Sequence, residues 1–250
     1  MMAAIWITGA TGAVGSALAH RLAKSGRPLV LSARDESALN ALAETLSVPI
    51  SIQAGDLSYP EVAARLLAAA EAEVGPVVGF AHCIGSTLIR PLHLTSDDDL
   101  EQVMRLNYFS AAWALKAFIA LQLAQRRPAS AVLVGSVVAH AGFPNHEAIA
   151  SAKAAVDALA LSAAASYAER GIRVNCVHPG LTASRLSARL TGTPELAAKH
   201  GKSNPLGRIG QGDDIAAMLA FLLSDDASWV TGQSVGVDGG QGLIHPLPKA

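Results

Sequence analysis

The feature that most constrains this chain is the alternation of short apolar runs with longer amphipathic stretches. Residues 4–8, 28–32, 49–53, 77–83, 131–135 and 172–177 have strand length and are apolar at successive positions, the pattern of strands covered on both faces. Between them, residues 13–25, 36–46, 60–73, 97–125, 147–170 and 211–224 read as helices, and a last strand is expected at 233–237. Repeated strand–helix alternation builds a parallel sheet with helices on both faces, so the fold class is α/β. No linker, low-complexity tract or repeat divides the sequence, and a single domain over residues 1–250 is expected. One stretch, 181–210, is long, irregular and rich in Thr, Gly, Ser and Pro. Ligands bind in such sheets beyond the C-terminal strand ends, so an insertion there reads as a substrate lid. The plainer reading is a solvent loop with a short helix.

Composition narrows the function classes. Nineteen Lys and Arg against twenty Asp and Glu leave a net charge of -1, with no basic excess to neutralise phosphates, so no nucleic-acid partner is expected. A content of 51% hydrophobic and 16% charged residues supplies a core and argues against disorder. No uninterrupted apolar run reaches the roughly 18 residues of a spanning helix, and no membrane partner is expected. The N-terminus has no basic segment, turns glycine-rich at once and reads as a first strand. Cys83 and Cys176 end apolar runs and read as small buried hydrophobes. A cytoplasmic location is expected.

The first strand runs into Thr8-Gly9-Ala10-Thr11-Gly12-Ala13-Val14-Gly15, and a helix follows. Glycines there let the backbone approach a pyrophosphate, and the helix N-terminus offers free N–H groups and a positive dipole end. A turn that merely needs positive φ is the alternative. Arg34 stands just after the second strand, where an acidic residue favours the ribose hydroxyl of NAD and an arginine favours the 2′-phosphate of NADP. Position 33 is Ala, and Asp35 can face into the next helix as an N-terminal acid. NADP(H) is therefore expected over NAD(H), the alternative being a surface Arg34–Asp35 pair.

Taken with further residues, this turn resembles the short-chain dehydrogenase/reductase family over essentially the whole chain. The supports are residues 8–15, Asp56-Leu57-Ser58 after the third strand, Asn107 in the long middle helix, Ser136 after the fifth strand, Lys153, the run 174–180, and the run 223–240. The last run is the most specific, having no generic structural reason to recur. The resemblance implies a doubly wound, Rossmann-type parallel sheet of about seven strands and a homodimer or homotetramer assembled through the long helices. It implies an NAD(P)(H)-dependent oxidoreductase acting on a small molecule. Gly9, Gly12 and Gly15 would hold the pyrophosphate, Arg34 the 2′-phosphate, and Asp56 the adenine. Gly85 would allow close approach to the cofactor, and Lys153 would bind the nicotinamide ribose. Thr11, Val14, Leu57, Pro179 and Gly180 complete the expected cofactor site. Asn107 and Ser136 would polarise the substrate oxygen. The family's usual Thr-Gly-x-x-x-Gly-x-Gly is replaced here by spacing closer to Thr-Gly-x-x-Gly-x-x-Gly, with Ala13 and an extra glycine at Gly12.

The larger departure is a missing tyrosine. In the family it lies four residues before the lysine and about thirteen after the serine. Lys153 and Ser136 both lead to position 149, which is Ile. When hydride reaches a carbonyl carbon, the oxygen takes a proton; the tyrosine gives it and the lysine lowers its pKa. Loss of a positioned acid typically costs about 10²–10⁴ in rate. Three accounts compete. His146, three residues before Ile149, can supply the proton, with His140 and His178 as further options. Alternatively the substrate is an enoyl or dienoyl thioester, whose enolate oxygen needs stabilisation only. The resemblance of Ala81-His82-Cys83-Ile84-Gly85 to the His-Ser-Ile-Gly run of enoyl reductases supports that account. So does His146, seven before Lys153 where those enzymes place their tyrosine, while the run 151–158 resembles dienoyl reductases. The third account is an NADP(H)-binding protein without turnover. His140 and His146 flank the expected cleft but lack a third ligand at a recognised spacing, so no metal site is expected. Asp97-Asp98-Asp99 would complement a helix dipole behind Ser96 as N-cap.

Overall fold

The structure, a computed structural model, describes residues 2–202 and 204–244. Its first half alternates β1 (Ala4–Thr8), α1 (Ala13–Ala23), β2 (Leu29–Ala33), α2 (Glu36–Ala43), β3 (Ile50–Ala54), α3 (Val62–Val74) and β4 (Val77–His82). The second half continues with α4 (Asp97–Met104), α5 (Ser110–Gln125), β5 (Ala129–Val134), α6 (Glu147–Tyr167) and β6 (Ile172–Pro179). It ends with α7 (Ala188–Thr191), α8 (Pro194–Gly201), α9 (Gly212–Leu223) and β7 (Ser234–Val237). The sheet has seven strands in the order β3-β2-β1-β4-β5-β6-β7, and every pair is parallel. The expected Rossmann-type sheet is the one observed.

Side-chain alternation along the strands divides the core. Ala4 and Trp6 of β1, with Phe80, Leu133 and Val174, pack against α3, α5 and α6. Ile5 and Ile7, with Leu31, Val132 and Val177, pack against α1, α2 and α9. Strand order reverses at β1, whose neighbours are β2 and β4, and ligands bind in the crevice at such a switch point. The expectation of apolar strand interiors throughout needs correcting. The edge strand β7 is exposed at alternate positions, and Ser32, Ser51, Gln53, His82, Asn175 and His178 are buried polar strand residues.

Two expected helices differ. The run 97–125 is divided by a π-helical segment, Arg105–Phe109. The run 147–170 ends as α-helix at Tyr167 and closes with a 3-10 turn, Ala168–Arg170. Within that run, Glu147–Arg170, an 18-residue window has mean hydropathy 1.4, long and apolar enough to cross a membrane. Here it lies against the sheet, with Val156, Ala160 and Ala163 in the core. The run 223–240 also acquires a structural reason. Arg173 donates to the carbonyls of Leu222, Ser224 and Val230. Thr231 accepts from Val174 N–H, and Asn175 bonds Val230 and Gln233 backbone groups. The segment is thereby sewn to β6, a requirement that its sequence alone does not display.

Candidate active site

The glycine turn and the end of β4 meet at the switch point. Thr8 O accepts from Cys83 N–H at 3.0 Å, and Thr8 Oγ1 lies 2.9 Å from His82 Nδ1. Gly9 has φ +69°, and a Cβ there would stand 2.8 Å from the Cys83 carbonyl, so no other residue fits without displacement. A Cβ on Gly15 would overlap the Gly9 carbonyl oxygen. Helix α1 opens at Gly12 with no side-chain cap, which leaves its first N–H groups to face an anion. The residues present fit a pyrophosphate: a bare backbone cradle against an uncapped helix start.

Beside this cradle the ends of β4 and β5 gather polar groups. A Cβ on Gly85 would lie 3.2 Å from both Asn107 Oδ1 and Lys153 Nζ, so these three residues are neighbours. Lys153 comes from α6, is 6% exposed, and donates to Val134 O at 2.9 Å. Burial lowers its ammonium to about 8. Asn107 sits in the π segment, which turns it inward. Its Oδ1 accepts from Ser86 N–H, and its amide hydrogens go to Ser86 Oγ and Val103 O. Ser136 begins the turn Val137–Ala139, and its hydroxyl oxygen accepts from Val138 N–H at 3.4 Å. His82 is buried, and its ring nitrogens reach Thr8 Oγ1 and Ser110 Oγ. Burial, with Lys153 nearby, lowers its pKa to about 3, so the ring is neutral. Ser86 and Ser110 lie outside the sequence-predicted set, and nothing in their local sequence singles them out.

The remaining predicted residues line the same sheet edge. Arg34 is exposed and joins none of the ion pairs among the described residues. Asp35 instead caps α2, its carboxylate accepting from Ala38 N–H at 3.0 Å, so the surface Arg34–Asp35 pair is not formed. Asp56 accepts from Ser58 N–H, and Leu57 is buried beneath it. Pro179 ends β6, and Gly180 N–H bonds Val237 O. The stretch 181–210 is closed at its base by a bridge between Thr182 and Gly210 and holds two short helices, α7 and α8. Arg185 reaches from it to the Thr11 carbonyl at 3.4 Å, which places it over the glycine turn.

Position 149 is sealed. Ile149 is 4% exposed and packs with Val103, Ala148 and Ala152, flanked by Leu88, Leu100, Met104 and Val138. His146 stands at the N-cap of α6, with Nδ1 donating to Pro144 O at 2.7 Å and the ring against Phe143. The two histidines expected to flank the cleft part company. His140 meets His178 and Asp157 rather than His146, and the ligand atoms of the three lie within 4.8 Å of one another. Both thiols are pushed up by burial to about 12, in keeping with unreactive cysteines; Cys176 is in the core and Cys83 is partly buried against it.

Comparison with known proteins decides the family. A family model described as Enoyl-(Acyl carrier protein) reductase matches residues 9–241. A short-chain type dehydrogenase/reductase from Mycobacterium ulcerans superposes with TM-score 0.90 at 30% identity, over 96% of this chain and 90% of that one. The chain belongs to the short-chain dehydrogenase/reductase family. A 2,3-dihydroxy-2,3-dihydro-p-cumate dehydrogenase of Pseudomonas putida is 30% identical over 243 residues, covering 95% of this chain and 93% of the relative. An "Inactive 2-(S)-hydroxypropyl-CoM dehydrogenase 2" of Xanthobacter autotrophicus is 33% identical over 231 residues, 91% of this chain and 100% of the relative. This short-chain dehydrogenase/reductase is an oxidoreductase of a family that uses NAD(P)(H) cofactors on small molecules.

Proposed function

We propose that this chain is an NADP(H)-dependent oxidoreductase for a small carbonyl or hydroxyl substrate, with an altered proton-donor site. The observation that carries the reading is the grouping of Gly85, Asn107 and Lys153 beside an uncapped glycine turn, with position 149 closed by apolar side chains. Gly9, Thr11, Gly12, Val14 and Gly15 hold the pyrophosphate. Arg34, free of an acidic partner, holds the 2′-phosphate. Asp56 and Leu57 border the adenine, and Pro179 and Gly180 border the nicotinamide side. The nicotinamide supplies or takes up the hydride. Lys153 holds the ribose hydroxyls, and Ser136 donates its hydroxyl hydrogen to the substrate oxygen. Both amide hydrogens of Asn107 are already spent, so we assign it to positioning Ser86 and the Gly85 backbone instead of polarising substrate. His146 is the proton donor in this reading: Nδ1–H is held by Pro144 O, which leaves Nε2 to carry the transferable proton.

A second reading, reduction of an enoyl or dienoyl thioester, is favoured by the sealed Ile149 and by the description of the matching family model. The relative named inactive supports a third, cofactor binding without turnover. We further propose a single domain, a lid role for 181–210, and a homodimer or homotetramer.

The test begins with calorimetric titration of NADPH and NADH into the wild type and Arg34→Ala. Micromolar NADPH binding that weakens about tenfold or more in the variant, with NADH unaffected, is expected. Equal affinity for both cofactors overturns the NADP assignment. NADPH oxidation is then followed with paired ketones and enoyl thioesters. Turnover that needs Ser136 and Lys153, and with ketones also His146, supports the first reading. Thioester turnover indifferent to His146 selects the second, and binding without any turnover selects the third.

A further inference from the structure

The loop that carries Ser136 is tied down by a cluster that the proposed chemistry does not use. His140 follows the turn Val137–Ala139, Asp157 lies on α6, His178 on β6, and Ser234 opens β7. His178 Nε2 stands 2.9 Å from Asp157 Oδ1. His140 Nε2 stands 3.3 Å from Asp157 Oδ2 and 3.4 Å from His178 Nε2. The Ser234 hydroxyl lies 2.8 Å from His178 Nε2 and 3.2 Å from His140 Nε2. Four separate segments thus point four polar side chains at one another.

The three separations at His140 Nε2, 3.2–3.4 Å, are those of ligand atoms around one ion, while the 2.8 and 2.9 Å contacts of His178 Nε2 are hydrogen bonds that an ion would replace. Ligands at about 2.0–2.1 Å around a tetrahedral zinc ion stand about 3.3 Å apart. Two imidazole nitrogens and a carboxylate oxygen form a donor set for zinc and its late first-row neighbours, not for magnesium or calcium. His178 Nδ1 lies 3.0 Å from the Ser136 carbonyl and 3.2 Å from the Ser136 N–H; with a metal on Nε2 the ring proton would sit on Nδ1 and donate to that carbonyl, the outer hydrogen bond of a ligating histidine. His178 is buried, while the His140 side chain is 48% exposed, so an ion can enter from solvent past His140.

We propose that His140, His178 and Asp157 form a zinc-class metal site, with the Ser234 hydroxyl at the fourth corner. All four corners are filled by protein, the arrangement of a structural ion and not of a catalytic one. Such an ion would join the edge strand β7 to the loop behind Ser136 and hold that serine through His178. Sequence spacing gives no hint of it, because the ligands come from four elements and no two share a motif.

The test uses tag-free protein stripped with a chelator and titrated with Co2+, without cofactor or substrate, so its result is independent of the proposed reaction. One equivalent of Co2+ per chain with intense visible bands of four-coordinate geometry is expected, displaced by one equivalent of Zn2+. Zn2+ also raises Tm. His140→Gln and Asp157→Asn lose both the bands and the rise in Tm; His93→Gln, at an exposed site elsewhere, retains both. His140→Gln changes a half-exposed side chain, so it keeps the test readable if Asp157→Asn folds poorly. Absence of the bands in the wild type overturns the proposal and assigns the cluster to shared protons. Equal bands in the wild type and in His140→Gln overturn it as well.

Discussion

Burial moves the Lys153 ammonium from its ordinary value of 10.5 to about 8, which makes this residue a stability lever as well as a ligand. The folded pKa lies below the unfolded one, so the unfolded chain binds the extra proton between pH 8 and 10.5, and stability rises with pH across that window. Below pH 8 both states are charged and the full desolvation penalty applies. Lys153→Met is therefore expected to unfold at a higher temperature than the wild type at pH 7, with the advantage fading above pH 8 and gone near pH 10.5. Paired thermal melts across that range check it; an advantage that grows with pH would contradict the assignment. At position 149, Tyr in place of Ile adds volume and a hydroxyl to a packed apolar cluster, a change that typically costs about 1–3 kcal/mol. If the rest of the site is intact, Ile149→Tyr gains ketone reduction despite lower Tm; a folded but inert variant shows that the pocket itself is remodelled. That Gly85, Asn107 and Lys153 share one end of the sheet was legible in the sequence, because motif spacing sets their places along the chain. The commitment of Asn107 to Ser86 and Val103 was not, since both partners are set by tertiary approach.

At the scale of elements, strand and helix positions follow from apolar periodicity, and boundaries fall within about three residues of expectation, while irregular pieces escape it. The run 97–125 has neither Pro nor Gly, so nothing local marks the π segment that aims Asn107 inward. In 181–210, where the plainer reading allowed one short helix, the structure has two, α7 and α8. Caps are the legible exception: Ser96 accepts from Asp99 N–H to start α4 as its sequence predicts. Asp35 shows how a cap bears on function. Its carboxylate is held by Ala38 N–H and lies next to the arginine proposed to hold a phosphate. Asp35→Ala should cost about 1 kcal/mol of stability, read from urea unfolding, while NADPH affinity is unchanged or tighter because a nearby negative charge is gone. Weaker NADPH binding in a folded Asp35→Ala protein would mean that the cap positions Arg34, and that the acid is part of the site.

For the whole molecule, the parallel sheet was readable because each strand needs cover on two faces, which leaves few topologies; assembly is not specified that way. Among the described residues, two regions of exposed apolar side chains lie on the helices and beside the edge strand. One is the groove between α5 and α6, lined by Ala112, Leu115, Ile119, Ala120, Leu123 and Leu159, next to Phe109 stacked on Trp113. The other holds Trp229, fully exposed in the segment between α9 and β7, and Phe221 of α9, also exposed. Exposed aromatics and contiguous apolar area mark interaction surfaces. Self-pairing of each patch about its own two-fold would generate a D2 tetramer rather than a dimer. Sedimentation at micromolar concentration is therefore expected to give four chains. Ala120→Arg puts a charge into the first patch, and Trp229→Ser removes the anchor of the second. Each alone should yield dimers and the pair together monomers, with unchanged far-UV spectra because both positions are exposed in the isolated chain. A wild-type monomer would mean that neither surface pairs with itself. A dimer abolished by Ala120→Arg and untouched by Trp229→Ser would assign the assembly to α5 and α6 alone.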